Sequence, residues 1–117
     1  TQKEDQISLV IREACQYISS NFEKNISLTD LAKTAHLSPN YFLKLFKNSM
    51  GITPQQYYTA LTVDKGRYLL TNTSYSISEI SLLCGIVDSF YFSRIFKKHT
   101  GLSPRDYRNT GGCNFVL

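Results

Sequence analysis

Apolar positions recur along the chain at helical spacing, and period-2 alternation never lasts, so the pattern predicts an all-α fold. Ile7, Val10, Ile11, Ala14, Tyr17 and Ile18 follow the i, i+3, i+4, i+7 rule and predict an amphipathic helix over 6–22. Punctuation divides the rest. Ser27-Leu28-Thr29-Asp30 and Ser76-Ile77-Ser78-Glu79 read as capping boxes, in which a hydroxyl accepts from the N3 amide and the acid reaches back. Ser38-Pro39, Thr53-Pro54 and Ser103-Pro104 pair an N-cap with a proline at N1, where its missing N–H costs nothing. Gly51 and Gly101 stand where a preceding helix ends in the left-handed conformation. The expected helices are therefore seven, near 6–22, 28–35, 39–49, 54–71, 77–84, 89–99 and 104–109.

An internal repeat sharpens this picture. At an offset of 50, Tyr41, Phe42, Phe46, Lys47, Gly51, Pro54 and Tyr57 match Tyr91, Phe92, Phe96, Lys97, Gly101, Pro104 and Tyr107. Upstream the offset falls to 49, pairing Ser27/Ser76, Leu31/Ile80 and Leu37/Ile86, so the second copy carries one extra residue in its turn. Two copies are too few for a solenoid and predict two similar subdomains. Each copy is a short helix, a tight turn and a second helix, the helix-turn-helix unit. The turns are His36-Leu37-Ser38 and Gly85-Ile86-Val87-Asp88; Gly85 is free to take positive φ, and His36 must tolerate it.

The second helix of each unit has two faces. Phe42, Leu45, Phe46 and Met50 are expected to face the core, with Asn40, Leu43, Lys44 and Lys47 opposite. In the second copy Phe92, Ile95 and Phe96 face inward, and Ser89, Phe90, Ser93, Arg94 and Lys97 face out. Water gives no reason to display Leu43 or Phe90. In a major groove an apolar side chain can meet a thymine methyl, and Lys or Arg can bond guanine O6 and N7. Lys47, Lys97 and Lys98 suit phosphates, as do the helix N-termini at Ser38-Pro39 and Asp88-Ser89, although Asp88 reads first as an N-cap.

Charge agrees with a polyanionic partner. The net charge is +4, with a deficit in residues 1–25 and the whole basic excess in 26–117. Cys15, Cys84 and Cys113 match neither a disulfide framework nor a zinc ligand set. Cys15 and Cys84 read as core or boundary residues, and Cys113 lies in an expected mobile tail, 110–117. With two scattered histidines the chain offers no catalytic or metal constellation, so neither an enzyme nor a cofactor is expected. No apolar run approaches the roughly 18–20 residues of a membrane span, and no signal peptide opens the chain, which predicts a cytoplasmic setting. The start at Thr1-Gln2-Lys3, without Met, points to a piece of something longer.

At these residues the chain resembles the AraC/XylS family of bacterial transcription regulators. The resemblance covers about 7–109 and rests on two blocks, ISLTDLAKTAHLSPNYFLKLFKNSMGITPQQY and SISEISLLCGIVDSFYFSRIFKKHTGLSPRDYR. Ile80, Gly85, Tyr91-Phe92, Phe96, Gly101, Pro104 and Tyr107 stand at the family's signature positions. The resemblance implies one DNA-binding domain, with helix-turn-helix subdomains at 6–53 and 72–109 joined by a linker helix at 54–71. Recognition helices 39–49 and 89–99 would enter successive major grooves of double-stranded DNA, which a linker of about 25 Å permits. The implied base readers are Asn40, Leu43, Lys44, Ser89, Phe90, Ser93 and Arg94; the implied phosphate contacts are Ser38, Tyr41, Lys47, Tyr91, Lys97 and Lys98. RNA polymerase and an N-terminal sensing or dimerisation domain, a sugar-binding barrel or a phospho-receiver, are the further partners it implies.

The chain departs from the family at a few positions. Thr62 and Gly66 replace a usual Arg and Ala, and Gly66 predicts a softer linker helix by about 1 kcal/mol. Ile86 replaces a frequent Phe. Phe90 stands where the family is often polar, which predicts a second unit that grips mainly phosphates. The alternative function is a helical module that binds a protein. It differs in salt response, since six to ten phosphate contacts would cost about 10³–10⁵ in affinity between 50 and 200 mM salt.

Overall fold

The computed structural model describes residues 2–24 and 26–112. The sequence predicts its seven α-helices, with shifts of up to four residues at the ends, but not the 3-10 turn after the first. Helix α1 spans Gln2–Asn21 and runs into a 3-10 turn, Phe22–Lys24. Then follow α2 (Leu28–Thr34), α3 (Pro39–Met50), α4 (Pro54–Asn72), α5 (Ile77–Leu83), α6 (Ser89–Thr100) and α7 (Pro104–Thr110). Among the described residues there is no strand, and the fold is all-α. The chain divides after Tyr58 into two compact units.

Local hydrogen bonds explain where the helices start. The Ser76–Glu79 capping box closes in both directions: Glu79 N donates to Ser76 Oγ at 3.1 Å and Ser76 N to Glu79 Oε2 at 3.3 Å. A second reciprocal box opens α4, where Gln56 N donates to Thr53 Oγ1 at 3.1 Å and Thr53 N to Gln56 Oε1 at 2.9 Å. Ser27 and Ser103 each accept from the amide three residues on. The left-handed backbone falls at Gly51, Gly85 and Gly101, and His36 takes φ 58° in the first turn.

The first unit packs Ile11, Ala14 and Ile18 of α1 and Leu31 and Ala32 of α2 against Phe42 and Phe46 of α3. Tyr57 closes it, edge-on to Phe46 at 6.0 Å. Tyr17, expected in the apolar stripe of α1, reaches the surface instead. Met50, expected in the core, is 38% exposed. It ends α3, Gly51 turns the chain left-handed immediately afterwards, and no element of the unit covers that last turn.

The second unit repeats the plan with Val63, Leu69, Leu70, Ile80, Cys84, Phe92 and Phe96 as its core, and Ile77, Ile86 and Tyr107 packed against it. Its longer turn is tied by two bonds: Ile86 N donates to Ser81 O at 2.9 Å, and the buried Ser81 hydroxyl donates to Ile86 O at 2.6 Å. In the first unit Leu37 N donates to Ala32 O at 2.9 Å. Leu37 and Ile86 are thus equivalent, and Val87 is the inserted residue. Arg108 of α7 donates from Nε to Leu70 O, from Nη1 to Tyr75 O and from Nη2 to Thr73 O, at 3.1, 2.6 and 3.2 Å. One guanidinium thereby satisfies a carbonyl in the last turn of α4 and two in the segment after it.

Gly66 lies within α4, which is unbroken from Pro54 to Asn72. It is buried where α6 crosses closely: a Cβ there would lie 2.9 Å from Phe92 Cζ and 3.4 Å from Phe96 Cδ2. The missing side chain is space used by Phe92. Gly66→Val should therefore lower unfolding stability by about 1–3 kcal/mol through overpacking, despite valine's better helix propensity. A urea midpoint equal to or above that of the parent would contradict this.

Candidate nucleic-acid interface

Successive residues of a helix are turned by about 100°, and this sorts the residues of α3. Phe42 and Phe46 point inward and are fully buried. Asn40, Tyr41, Lys44, Lys47 and Asn48 are exposed on the opposite side. Leu43 and Leu45 lie on the two flanks and are half-buried. Leu43 is thus not on the open face as expected. It is one position from Phe42, and it lines a cavity of about 80 Å³ within its own unit, beside Ile18, Leu31 and Tyr58. Ser38 caps α3, accepting from Tyr41 N at 3.3 Å.

Helix α6 follows the same plan at an offset of 50. Phe92 and Phe96 are buried, while Phe90, Tyr91, Arg94, Lys97 and Lys98 are exposed. Ser93 takes the flank position of Leu43, and Ser89 the N1 position of Pro39; both are half-buried, not outward. The Arg94 guanidinium stands over the Tyr91 ring, 5.9 Å from its centroid. Neither α3 nor α6 contains an acidic residue. Among the described residues no carboxylate pairs with Lys44, Lys47, Arg94, Lys97 or Lys98.

The two N-termini differ. At α6, Asp88 Oδ1 accepts from Phe90 N at 2.9 Å and from Tyr91 N at 3.3 Å. Asp88 is the N-cap the sequence leads one to expect, and its carboxylate fills the place a phosphate would take at that end of the helix. Asn48 also belongs to the exposed face of α3. It is exposed beside Lys44 and Lys47 at the position equivalent to Lys98, and the repeat offset contained that signal.

Each exposed face combines amide or aromatic groups with cations, the chemistry that base edges and phosphates require. Among the described residues no group of three His, Cys, Asp or Glu side chains could hold a metal ion. Burial pushes the Cys15 thiol above its ordinary range, against a hydrogen bond to Tyr57 that lowers it, so the thiolate is disfavoured. Cys84 is buried in the core, and Cys113 lies outside the described residues. No described helix is long and apolar enough to cross a membrane.

Two helix-turn-helix units, each displaying a basic, acid-free second helix, define a DNA-binding protein of the helix-turn-helix class. A helix-turn-helix domain family model matches residues 31–110. The lactose operon transcription activator of Staphylococcus xylosus is 35% identical over 104 residues, 89% of this chain and 37% of that protein. The C-terminal domain of AraT, a response regulator from Geobacillus stearothermophilus, superposes with a TM-score of 0.83 at 34% identity, covering 86% of this chain and 84% of that one. An AraC-type DNA-binding domain from Chromobacterium violaceum gives 0.80 at 32% identity, covering 88% and 92%. The chain belongs to the AraC/XylS family of transcription regulators, and its function is sequence-specific binding of DNA. It spans little more than a third of the length of the curated relatives it matches.

Proposed function

We propose that α3 and α6 are the two recognition helices of this domain, entering successive major grooves of one asymmetric site. The observation that carries this is the duplicated face: Asn40, Lys44 and Lys47 on α3 and Phe90, Arg94 and Lys97 on α6 occupy equivalent exposed positions. Asn40 suits adenine N6 and N7, and Lys44 and Arg94 suit guanine O6 and N7. Leu43, Ser89 and Ser93, half-buried at the borders of these faces, reach only bases that approach the helix closely. Lys47, Lys97 and Lys98, with the Ser38, Tyr41 and Tyr91 hydroxyls, hold phosphates. No catalytic step belongs to this reading. In a longer cytoplasmic regulator the domain would follow a sensing or dimerisation domain and act on RNA polymerase, as expected of a protein whose relatives are about two and a half times its length.

Selection from a randomised duplex library at about 150 mM salt tests the site. The expected product is an asymmetric sequence with two short blocks about one helical turn apart. Lys44→Ala should then relax preference at a position in one block only, by about 1–3 kcal/mol, leaving the fold intact. A single block in the parent, or undiminished selectivity in the variant, would contradict the assignment.

A further inference from the structure

The two recognition faces are not chemically alike, and the difference lies at the start of α6. Phe90 is 77% exposed and Val87 is 88% exposed, the two most exposed of the large apolar side chains among the described residues. Val87 immediately precedes the cap, from where a hydrophobic staple would fold it onto Phe92 at N4. It remains in solvent instead. As the inserted residue of the second turn, it has no counterpart in the first unit, and the position equivalent to Phe90 is held there by Asn40.

Between them sits the Asp88 carboxylate, already accepting from two amides. A phosphate brought to this end of the helix would face that negative charge. The cations of the helix, Arg94, Lys97 and Lys98, come later, one to two turns on. With Arg94 turned to a base, charge directs the strand backbone to Lys97 and Lys98 at the end of α6, and leaves the outward position of Phe90 at its start for base edges. The outward contact at that start is apolar, and the only apolar group a base pair presents in the major groove is the thymine 5-methyl.

We propose that Phe90, with Val87 three residues before it, reads thymine methyl groups, so that the block bound by the second unit is specified by thymine contacts rather than by hydrogen bonds at that position. This rests on the reading of α6 as a recognition helix. It replaces the expectation, drawn from the family pattern, of a second unit gripping mainly phosphates.

The test uses the selected duplex and the whole 117-residue chain. Each thymine of the second block is replaced in turn by deoxyuridine, which removes one methyl and keeps every hydrogen bond. One or two positions should lose about 3- to 10-fold in affinity, the range for one buried methyl. Phe90→Ala should weaken binding to the thymine duplex and erase the difference between thymine and deoxyuridine there, as coupled groups do in a double-mutant cycle. Phe90 is outside the core, so circular dichroism of the variant should match the parent. If deoxyuridine is tolerated at every position, or its cost persists in Phe90→Ala, the proposal fails while DNA recognition stands. If no duplex is bound in a salt-dependent manner, the reading of α6 fails and this inference with it.

Discussion

Phe96→Ala is expected to cost about 3–5 kcal/mol of unfolding free energy and to unfold the second unit under conditions where the parent is folded. Phe96 is fully buried, 5.8 Å from the Phe92 ring and edge-on to Tyr107 at 5.2 Å. Truncation removes both aromatic contacts and leaves a void beside Gly66, where no side chain can fill it. A unit of about sixty residues has on the order of 3–9 kcal/mol of stability in total, so the loss is comparable to the whole. Phe46→Ala should do the same to the first unit, where Phe46 meets Phe42 at 5.9 Å and Tyr57 at 6.0 Å. Amide exchange separates the two: Phe96→Ala should strip protection from α5 and α6 while α2 and α3 retain theirs. Uniform loss over the chain, or none, would show that the two clusters are not independent cores.

That the inward phenylalanines of both units could be named from the sequence follows from their origin in local rules. Caps at Ser27, Ser38, Ser76, Asp88 and Ser103 are bonds between residues two or three apart, and the residue types that make them are few. The same holds for the left-handed Gly51 and Gly101 and for His36. Helical periodicity then fixed Phe42, Phe46, Phe92 and Phe96 as inward, and with them the general direction of the recognition faces.

What remained hidden depends on contacts between distant residues. Gly66 reads as a weak point of a helix until Phe92, 26 residues on, is seen to occupy its side-chain space. Nothing in the sequence singles out Arg108, whose guanidinium is spent on carbonyls 33 to 38 residues upstream. The edges of a helix face are also beyond periodicity. Leu43 is turned by about 100° from Phe42, and whether such a flank is covered depends on its neighbours, here α1, α2 and the start of α4. Asp88 could be named as a cap, but its closing of the α6 N-terminus to anions required both of its hydrogen bonds.

The salt response of binding is the second large effect. Each phosphate contact contributes about 0.9 to the slope of log affinity against log salt. If Lys44, Lys47, Arg94, Lys97 and Lys98 each neutralised a phosphate, the slope would be about −4.5, a fall of roughly 500-fold between 50 and 200 mM salt. In the division proposed above only Lys47, Lys97 and Lys98 do so, while Lys44 and Arg94 are turned to bases. These three alone give a slope of about −2.7 and a fall near 40-fold; the hydroxyl and amide contacts add none. Joint replacement Lys47→Ala, Lys97→Ala and Lys98→Ala should flatten the slope by about 2.7 and weaken all duplexes alike, preserving the order of preference among sequences. Lys44→Ala should do the reverse, changing that order with little effect on the slope. The distinction is geometric in origin: Lys44 points directly away from the Phe42–Phe46 core, and Lys47 stands nearer one side of the same face. A side chain at the centre of an inserted helix meets the groove floor, and one toward its edge meets the walls, which are phosphates. Equal slope changes for Lys44→Ala and Lys47→Ala would mean that α3 lies across the backbone instead of within the groove.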